Sequence, residues 1–298
     1  MTSDNLGELL KGAKAQDFQS LAKLLTYLER EGPSVFARAP ELLSGAKMAF
    51  RLGITGPPGA GKSTLVSQII KSARAQGQSV AVMAVDPSSP FSRGAVLGDR
   101  IRYSEHFTDS KVFIRSLGTR GSLGGLSGSA FLMLHAFDLA GFDLVIIETV
   151  GVGQTELEVV NVADFVSVVL VPESGDSIQG MKAGLLEIAD LFIVNKFDRP
   201  GAESFKHELE MALQLAADHG DLPSVIGTNA LKGEGVADLL KIVSEKIASK
   251  TWRSDRTSSK RLQAEARALL REDAERQISA KTSKINTLSD FAELLKKS

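Results

Sequence analysis

The sequence predicts an α/β protein built on a mostly parallel β-sheet, and three observations support this fold class. Seven short segments are almost continuously apolar rather than alternating, which indicates strands that are buried on both faces. All but the second are followed by a stretch with helical spacing, as expected where helices cover both sides of a sheet. A glycine-rich loop joins the first of these strands to the first helix, which is typical of phosphate-binding α/β domains.

The strands and helices of this series are predicted to alternate. Strands are expected at 49–55, 79–86, 111–116, 142–149, 164–171, 190–195 and 223–228. Helices are expected at 61–76, 124–140, 155–161, 178–188, 202–218 and 235–249. Leucines at helical spacing predict two short helices ahead of the sheet, within residues 6–46.

The strand signals stop after about residue 250. Residues 251–260 are interpreted as a polar linker, and helices are expected at 261–280 and 287–297. The chain is therefore divided into three parts: an N-terminal helical segment (1–47), a nucleotide-binding α/β domain (48–250) and a C-terminal helical arm (251–298).

The composition excludes several classes of protein. The chain has 298 residues, no Cys and a formal net charge of −1. The lack of Cys removes disulfide scaffolds, thiolate metal sites and cysteine nucleophiles. The balanced charge gives no overall attraction to nucleic acid or to a membrane surface. The longest apolar run, 165–172, is too short to span a bilayer, and the first residues resemble neither a secretory signal nor a transit peptide. A cytoplasmic location is expected.

The glycine-rich loop predicts a phosphate-binding site. The pattern G-x-x-x-x-G-K-[ST] is matched by Gly56, Pro57, Pro58, Gly59, Ala60, Gly61, Lys62, Ser63 and Thr64. The glycines let backbone N–H groups turn towards the phosphates, and the helix that follows adds its dipole. Lys62 is expected at the β- and γ-phosphates, and the Ser63 hydroxyl is expected to bind Mg²⁺.

A second motif predicts which base is bound. Asn195, Lys196 and Asp198 form the pattern N-K-x-D at the end of a predicted strand. The Asp198 carboxylate can accept hydrogen bonds from N1–H and the exocyclic amine of guanine, whereas adenine would leave it unpaired. The loop of Asn229, Ala230 and Leu231 is expected to reach the guanine O6 through backbone N–H groups. The sequence therefore predicts GTP and GDP as ligands.

Carboxylates near the other strand ends are candidates for the metal site and for catalysis. Glu148 ends a strand and is expected to hold Mg²⁺ directly or through water, and Gly151 is expected to sense the γ-phosphate. Asp86 is a further candidate metal ligand, and Asp99 a candidate for the metal or the attacking water. Asp143 begins its strand and is expected to cap it. No glutamine directly follows Gly151, which predicts slow hydrolysis that a partner can accelerate.

Three arginines are candidates for stabilising charge during phosphoryl transfer. Arg93, Arg115 and Arg120 are expected in loops or at strand ends near the site, with Arg93 more typical of a solvated loop residue.

Four longer strings make the chain resemble a known family. VDPSSPFSRGAVLGDR, FIRSLGTRGSLGGLS, ETVGVGQTELEV and VPESGDSIQGMKAG are similar to the MeaB/ArgK family of GTPases associated with methylmalonyl-CoA mutase. The resemblance runs from about residue 20 to residue 250. It implies a Rossmann-like P-loop domain of the SIMIBI class, N-terminal helices, and a C-terminal arm used to form a homodimer.

The resemblance also implies a function. Such a protein is expected to act as a chaperone that gates adenosylcobalamin loading and protects an acyl-CoA mutase, with GTP binding and hydrolysis as the switch. It implies that residues 175–182 form the loop that reports the nucleotide state, with Lys182 able to reach the nucleotide. This chain departs from the family at Glu173-Ser174, where a Gly-Ala pair is usual, and this departure concerns the partner more than the chemistry.

Other functions remain as alternatives. A nickel-insertion GTPase shares the fold class, but the lack of Cys and the scattered histidines argue against it. A kinase linked to arginine or ornithine transport would need a phosphate-acceptor site. A signal-recognition-type GTPase would call for a Met-rich or basic module, and the chain has 6 Met. A protein that binds GTP without turnover is compatible with the same motifs.

Overall fold

A parallel β-sheet forms the centre of the computed structural model, which describes residues 3–43, 47–86, 102–118, 128–149, 155–173, 183–216 and 222–283. Within these ranges the strands are β1 (Phe50–Thr55), β2 (Val80–Asp86), β3 (Val112–Gly118), β4 (Leu144–Thr149), β5 (Phe165–Leu170), β6 (Leu191–Asn195) and β7 (Ser224–Thr228). They pair in the order β3-β2-β4-β1-β5-β6-β7, and every described pair is parallel. The predicted fold class is confirmed.

Helices precede, follow and connect these strands. In the described ranges they are α1 (Ser3–Lys14), α2 (Phe18–Glu31), α3 (Lys62–Ala75), α4 (Gly128–Ala140), α5 (Thr155–Glu158), α6 (Ala183–Ile188), α7 (Ala202–Ala216), α8 (Val236–Ser249), α9 (Thr251–Arg256) and α10 (Ser259–Thr282). The predicted helix at 155–161 ends early and continues as a 3-10 turn, Val159–Asn161. The predicted helix at 287–297 lies outside the described residues.

The sheet separates two hydrophobic cores because its strands are apolar on both faces. One core includes α1, α2 and α4, where Phe18, Phe113, Phe137 and Phe142 form a group of edge-on and stacked rings. The other core lies under α3, α8 and α9. The predicted N-terminal helices thus pack on one face of the sheet.

The prediction of a polar linker over 251–260 is wrong. Residues of this stretch form α9 and the start of α10, and Trp252 is buried with its ring edge-on to Phe50, 5.5 Å between centroids. The guanidinium groups of Arg253 and Arg256 lie over the indole at 5.1 and 4.9 Å. The polar composition of this stretch is misleading because guanidinium groups can stack on an aromatic ring, and Arg256 also bonds Asp164.

An ionic cluster lies at the amino-terminal ends of the strands; we define it as Arg51, Asp138, Asp164 and Arg256. Arg51 donates to Asp138 at 2.5 Å, and Arg256 donates to both oxygens of Asp164. The two carboxylates also accept the backbone N–H groups of Ala49 and Arg51 at 2.9 and 2.8 Å. The cluster therefore ties α4 and α9 to the start of β1.

Candidate nucleotide-binding site

The predicted site residues that the structure describes follow the carboxyl ends of β1, β4, β6 and β7. Ligands of open parallel sheets bind at this edge, because the loops that leave the strands converge there. Thr55 and Thr149, at the ends of β1 and β4, are joined side chain to side chain at 2.8 Å. The register pairs Ile54 with Glu148, which brings the phosphate loop and the second acidic motif side by side.

Two glycines allow the phosphate loop to keep its shape. Gly56 has a φ of 134°, and a Cβ there would collide with the carbonyl oxygen of Val169 on β5. Gly61 has a φ of 87°, and a Cβ there would collide with the side-chain amide of Asn195. Only glycine combines such positive φ values with this close approach. The glycine spacing of the motif therefore reflects backbone packing against β5 and β6.

Lys62 and Ser63 begin helix α3. The ammonium group of Lys62 is buried and donates to the carbonyl oxygens of Gly56 and Pro57, at 2.7 and 2.9 Å. The N–H groups of a first helical turn have no partner within the helix, which makes this end an anion-binding position. The loop thus presents a cation and helix-end amides together.

Glu148 ends β4 and is the most deeply buried carboxylate of this edge, with 1% of its surface exposed. Ser63 Oγ donates to Glu148 Oε1 at 2.6 Å, and the phenol of Tyr103 donates to Glu148 Oε2. Burial raises the pKa of Glu148, while the two hydroxyls and the positive charges of Lys62 and Arg102 act in the opposite direction. Desolvation of the carboxylate is the largest of these effects.

The residues around Glu148 fit a magnesium ion. A carboxylate and a hydroxyl are the hard oxygen ligands that Mg²⁺ prefers, and they lie 2.6 Å apart at the start of the phosphate-loop helix. The raised pKa of Glu148 indicates that the two hydroxyls and the charges of Lys62 and Arg102 do not fully offset its burial, and a divalent cation would supply further positive charge.

Asn195 connects the two halves of the candidate site. Its Nδ2 donates to the carbonyl oxygen of Ala60 in the phosphate loop at 2.8 Å. Its Oδ1 accepts from the Thr228 hydroxyl and from the Ala230 N–H, at 3.1 and 3.0 Å. Asn195 therefore braces both the phosphate loop and the loop after β7.

The next residues form a tight turn beside this bridge. Lys196 has a φ of 57°, and its ammonium group donates to the Gly59 carbonyl oxygen at 2.8 Å. Asp198 and Leu231 are exposed, whereas Asn229 and Ala230 are buried. The Phe197 N–H donates to the Thr228 carbonyl oxygen at 2.9 Å, which holds the turn against the end of β7. The N-K-x-D motif thus lies next to the loop of residues 229–231.

Several predicted residues lie outside the described part of the chain. These are Asp99, Gly151 and Lys182, together with Arg93 and Arg120. Asp86 ends β2 opposite Gly118 of β3, and only its backbone is described.

Two further predictions concern single side chains. The expectation that Arg115 lies in a loop or at a strand end beside the site is wrong: it is in the middle of β3 and pairs with Glu29 of α2 at 2.9 Å. The sequence of β3 alone does not indicate that α2 packs against this strand and supplies the partner of Arg115. Asp143 accepts from the Ser79 N–H and hydroxyl at 2.8 Å each, as expected of a residue that caps its strand.

Tyr103 was not singled out in the sequence. It is followed by a polar stretch and belongs to no regular pattern, so its contact with Glu148, 45 positions away, becomes visible only in three dimensions. Among the described residues, no group of three or more His, Asp or Glu is arranged to hold a metal by itself. No helix in those ranges is long and apolar enough to cross a membrane.

Comparison with known sequences identifies relatives along most of the chain. A protein of Pyrococcus horikoshii that carries a provisional GTPase name is 46% identical over 244 residues, covering 80% of this chain and 77% of the relative. GTPase ArgK of Escherichia coli is 36% identical over 243 residues, covering 78% and 73%. The mouse mitochondrial methylmalonic aciduria type A homolog is 38% identical over 206 residues, covering 67% of this chain and 50% of the relative.

Solved structures agree with the fold. The crystal structure of an LAO/AO transport system kinase is similar with a TM-score of 0.67 and 28% identity, covering 95% of this chain and 88% of that one. HypB from Helicobacter pylori shares the fold alone, at a TM-score of 0.51 and 18% identity, over 76% of this chain and 97% of that one. The model of the methylmalonyl Co-A mutase-associated GTPase MeaB matches residues 21–283. With the phosphate loop and N-K-x-D motif on one edge of a parallel sheet, the chain belongs to the MeaB family of GTPases.

Proposed function

We propose that this protein binds GTP and GDP with Mg²⁺ and hydrolyses GTP at the site described above. The observation that carries the proposal is the pair of hydrogen bonds made by the Asn195 side chain, which connect the phosphate loop at Ala60 with the loop of residues 229–231. A nucleotide with its phosphates on the phosphate loop would have its base beside Asp198. The family name and the GTPase names of its relatives support the same activity.

Each residue has a proposed task. The amides of the loop from Gly56 to Thr64 and the Lys62 ammonium bind the β- and γ-phosphates, replacing the carbonyl contacts that Lys62 makes in the structure. Ser63 and Glu148 hold the magnesium ion, which when bound neutralises charge on the phosphates. Asp198 accepts from the guanine N1–H and amine. The Leu231 N–H faces O6, and the Ala230 N–H would exchange its bond to Asn195 Oδ1 for one to O6.

The remaining predicted residues stay as proposals. Asp86 and Asp99 are proposed to act on the metal or the attacking water, Gly151 to sense the γ-phosphate, and Lys182 to reach the nucleotide from the loop 175–182. The residue after Gly151 is Val152, which carries no group that can orient water. We therefore propose slow intrinsic hydrolysis that a partner accelerates.

We propose that the partner is an adenosylcobalamin-dependent acyl-CoA mutase, and that the GTPase cycle gates cofactor loading and protects the mutase. The mutase-associated family name and the methylmalonic aciduria name of the mouse relative support this role. A second candidate, a function linked to amino-acid transport, is favoured by the kinase name of the structural neighbour and by the ArgK name. The site chemistry is the same in both cases.

A homodimer formed through the C-terminal arm is also proposed. Helix α10 exposes a row of large apolar side chains at intervals of eight residues, namely Leu262, Leu270 and Ile278, with 51–70% of their surfaces exposed. Alanines 266 and 274 occupy the positions between them, so the row follows one i, i+4 ridge of the helix. A second copy of the chain would cover this ridge, and sedimentation analysis of a Leu270→Glu variant tests it.

The guanine assignment is tested by Asp198→Asn. The asparagine amide can donate where the carboxylate accepted, so the variant is expected to lose roughly tenfold or more in GTP affinity and to gain affinity for xanthosine triphosphate, whose base has a carbonyl at the amine position. Competition binding with the two nucleotides measures the change. If the variant keeps the wild-type preference for GTP, the base is recognised elsewhere.

The role with a mutase is tested by GTP turnover of the purified chain, alone and with the acyl-CoA mutase from its own source. A slow basal rate that rises on addition of the mutase supports the proposed function. A complex should also form, detectable by size-exclusion chromatography. If turnover is unchanged and no complex forms, the proposed GTPase activity stands and the proposed mutase partner is overturned.

A further inference from the structure

Tyr103 has an unusual position for a tyrosine outside any helix or strand. Its side chain is completely buried, with 0% of its surface exposed, and its phenol donates to Glu148 Oε2. Glu148 Oε1 is held by Ser63 on the other side. Both oxygens of the carboxylate that we assign to magnesium are therefore fixed by hydroxyl groups, one from the phosphate-loop helix and one from Tyr103.

Contacts between α3 and the residues that follow Tyr103 position its side chain beside Glu148. The residues that follow it dock on α3 beyond Ser63: His106 Nε2 lies 2.7 Å from Ser67 Oγ, and Glu105 pairs with Lys71 at 2.8 Å. Further along, Asp109 pairs with Arg74 at 2.8 Å. The docking thus runs along one side of α3, so the same helix carries Ser63 to one oxygen of Glu148 and supports the segment that carries Tyr103 to the other.

The two hydrogen bonds restrict the orientation of the Glu148 carboxylate more than burial alone would. A single donor would leave Glu148 free to rotate about its last torsion, which is broad for a terminal carboxylate. Two donors on opposite oxygens restrict that rotation and determine which lone pairs face the mouth of the site. Partners of this kind orient metal-binding carboxylates, and their removal typically lowers metal affinity tenfold to a hundredfold.

We propose that Tyr103 is a positioning residue for the magnesium ion of this GTPase: by donating to Glu148 Oε2 it orients the carboxylate that, with Ser63, receives the ion. The inference rests on the proposed function, because it needs a magnesium-dependent nucleotide site. Tyr103 itself contacts neither the nucleotide nor the reacting atoms in this scheme. It acts through Glu148.

The first test is Tyr103→Phe, which keeps the buried ring and removes the hydroxyl. The chain has 2 tyrosines, and the other supplies a matched control: Tyr27 is also buried, and its phenol accepts from Arg38 at 2.8 Å on the far side of β3. Titrating Mg²⁺ against a fluorescent GDP analogue should give about a tenfold or larger increase in the half-saturating Mg²⁺ concentration for Tyr103→Phe. Tyr27→Phe should match the wild type, and excess Mg²⁺ should restore turnover in Tyr103→Phe.

The second test does not depend on a variant at position 103. Tyrosine labelled with ¹³C at the phenolic carbon gives two NMR signals, which Tyr27→Phe assigns. The Tyr103 signal should shift when Mg²⁺ is added to the GDP-bound protein and return on addition of a chelator, while the Tyr27 signal stays in place. A side chain that only fills space would not respond in this way.

The outcomes separate the two proposals. If wild-type GDP or GTP binding does not depend on Mg²⁺, the proposed function fails and the inference fails with it. If the wild type is magnesium-dependent but Tyr103→Phe needs no more Mg²⁺ and the Tyr103 signal does not move, the inference alone is overturned. A change in Mg²⁺ requirement together with the shifted signal supports it.

Discussion

Two groups of buried polar side chains lie at opposite ends of the β-strands, and they differ in how their charges are matched. The ionic cluster at the amino-terminal ends brings two arginines together with two aspartates. The Glu148 cluster at the carboxyl ends, which we define as Ser63, Tyr103 and Glu148, holds one carboxylate between two neutral hydroxyls. The side chains of the ionic cluster, Tyr103 and Glu148 are almost completely withdrawn from water, whereas Ser63 is half-buried.

The difference fits the proposed roles of the two clusters, in which the ionic cluster stabilises the fold and the Glu148 cluster binds magnesium. Buried charges are costly unless they are paired. The ionic cluster pairs its charges within the chain, although Arg51 Nε and Arg256 Nη1 have no hydrogen-bond acceptor among the described residues and burial lowers the pKa of Arg256. The Glu148 cluster holds a carboxylate whose pKa is raised by burial, an effect that the two hydroxyls and the charges of Lys62 and Arg102 offset only in part. Perturbed groups of this kind gather at functional sites, where a ligand supplies the missing charge.

The largest effect is expected from Asp138→Ala, which breaks the balance of the ionic cluster. Arg51 would stay buried without its partner, and the Ala49 N–H would lose its acceptor. The free energy of unfolding is expected to fall by about 3–5 kcal/mol, as for other buried pairs that lose one member. Urea denaturation measures this loss, and nucleotide affinity of the folded fraction should be unchanged.

A surface pair provides the control for this prediction. Lys206 and Glu210 are one turn apart on α7 and bond at 2.7 Å while partly exposed to solvent. Lys206→Ala should cost no more than about 0.5 kcal/mol. Equal losses in the two variants would show that burial of the ionic cluster contributes nothing of its own.

Glu148→Gln is expected to change the free energy of unfolding in the opposite direction, by stabilising the protein. The glutamine keeps a hydrogen-bonding group near Ser63 and Tyr103 but removes a charge that the fold disfavours, so the free energy of unfolding in a chelator should rise by about 1 kcal/mol at pH 7.5. A folded-state pKa above the unfolded one means that ionisation costs stability at high pH. The gain over wild type should therefore shrink as the pH falls towards 5.

The same variant should lose the magnesium dependence of nucleotide binding. Stability and binding would then move in opposite directions, as expected at a site strained for its ligand. A destabilised Glu148→Gln would instead place this cluster in the same class as the ionic cluster and remove the contrast between them.

The smallest expected effect on stability comes from His106, whose ring contacts Ser67 and holds the segment that carries Tyr103 against α3. Burial lowers the pKa of His106 below its usual 6.5, and Lys71 acts in the same direction, whereas Glu105 and Asp109 oppose it. The unfolded chain binds the proton more readily, so stability should fall as the pH drops through about 6.5. His106→Gln should flatten this slope, by on the order of 1 kcal/mol or less between pH 7.5 and 5.5. Chemical denaturation at both pH values tests it, and parallel curves for the two proteins would exclude His106 as the source.

Most of the fold was predictable because its signals are local. The apolar runs that became β1, β2, β4, β5 and β6 needed no partner to be recognised, since a strand buried on both faces is apolar throughout. The phosphate loop and the N-K-x-D motif were equally easy to recognise, because each motif consists of residues that are close together in the sequence. The stretch 251–260 was harder, because its structure depends on contacts with Phe50 and Asp164, which are distant in the sequence.

The sequence by itself determined the fold class, the order of its elements and the guanine nucleotide chemistry, because apolar periodicity and short motifs act over a few residues. Only the tertiary structure decided that Asn195 bridges two loops, that Tyr103 faces Glu148, and that Trp252 and Arg256 are buried. These contacts join residues 33 to 207 positions apart. Their energies come from burial and charge pairing, which depend on what surrounds a side chain rather than on its neighbours in the chain.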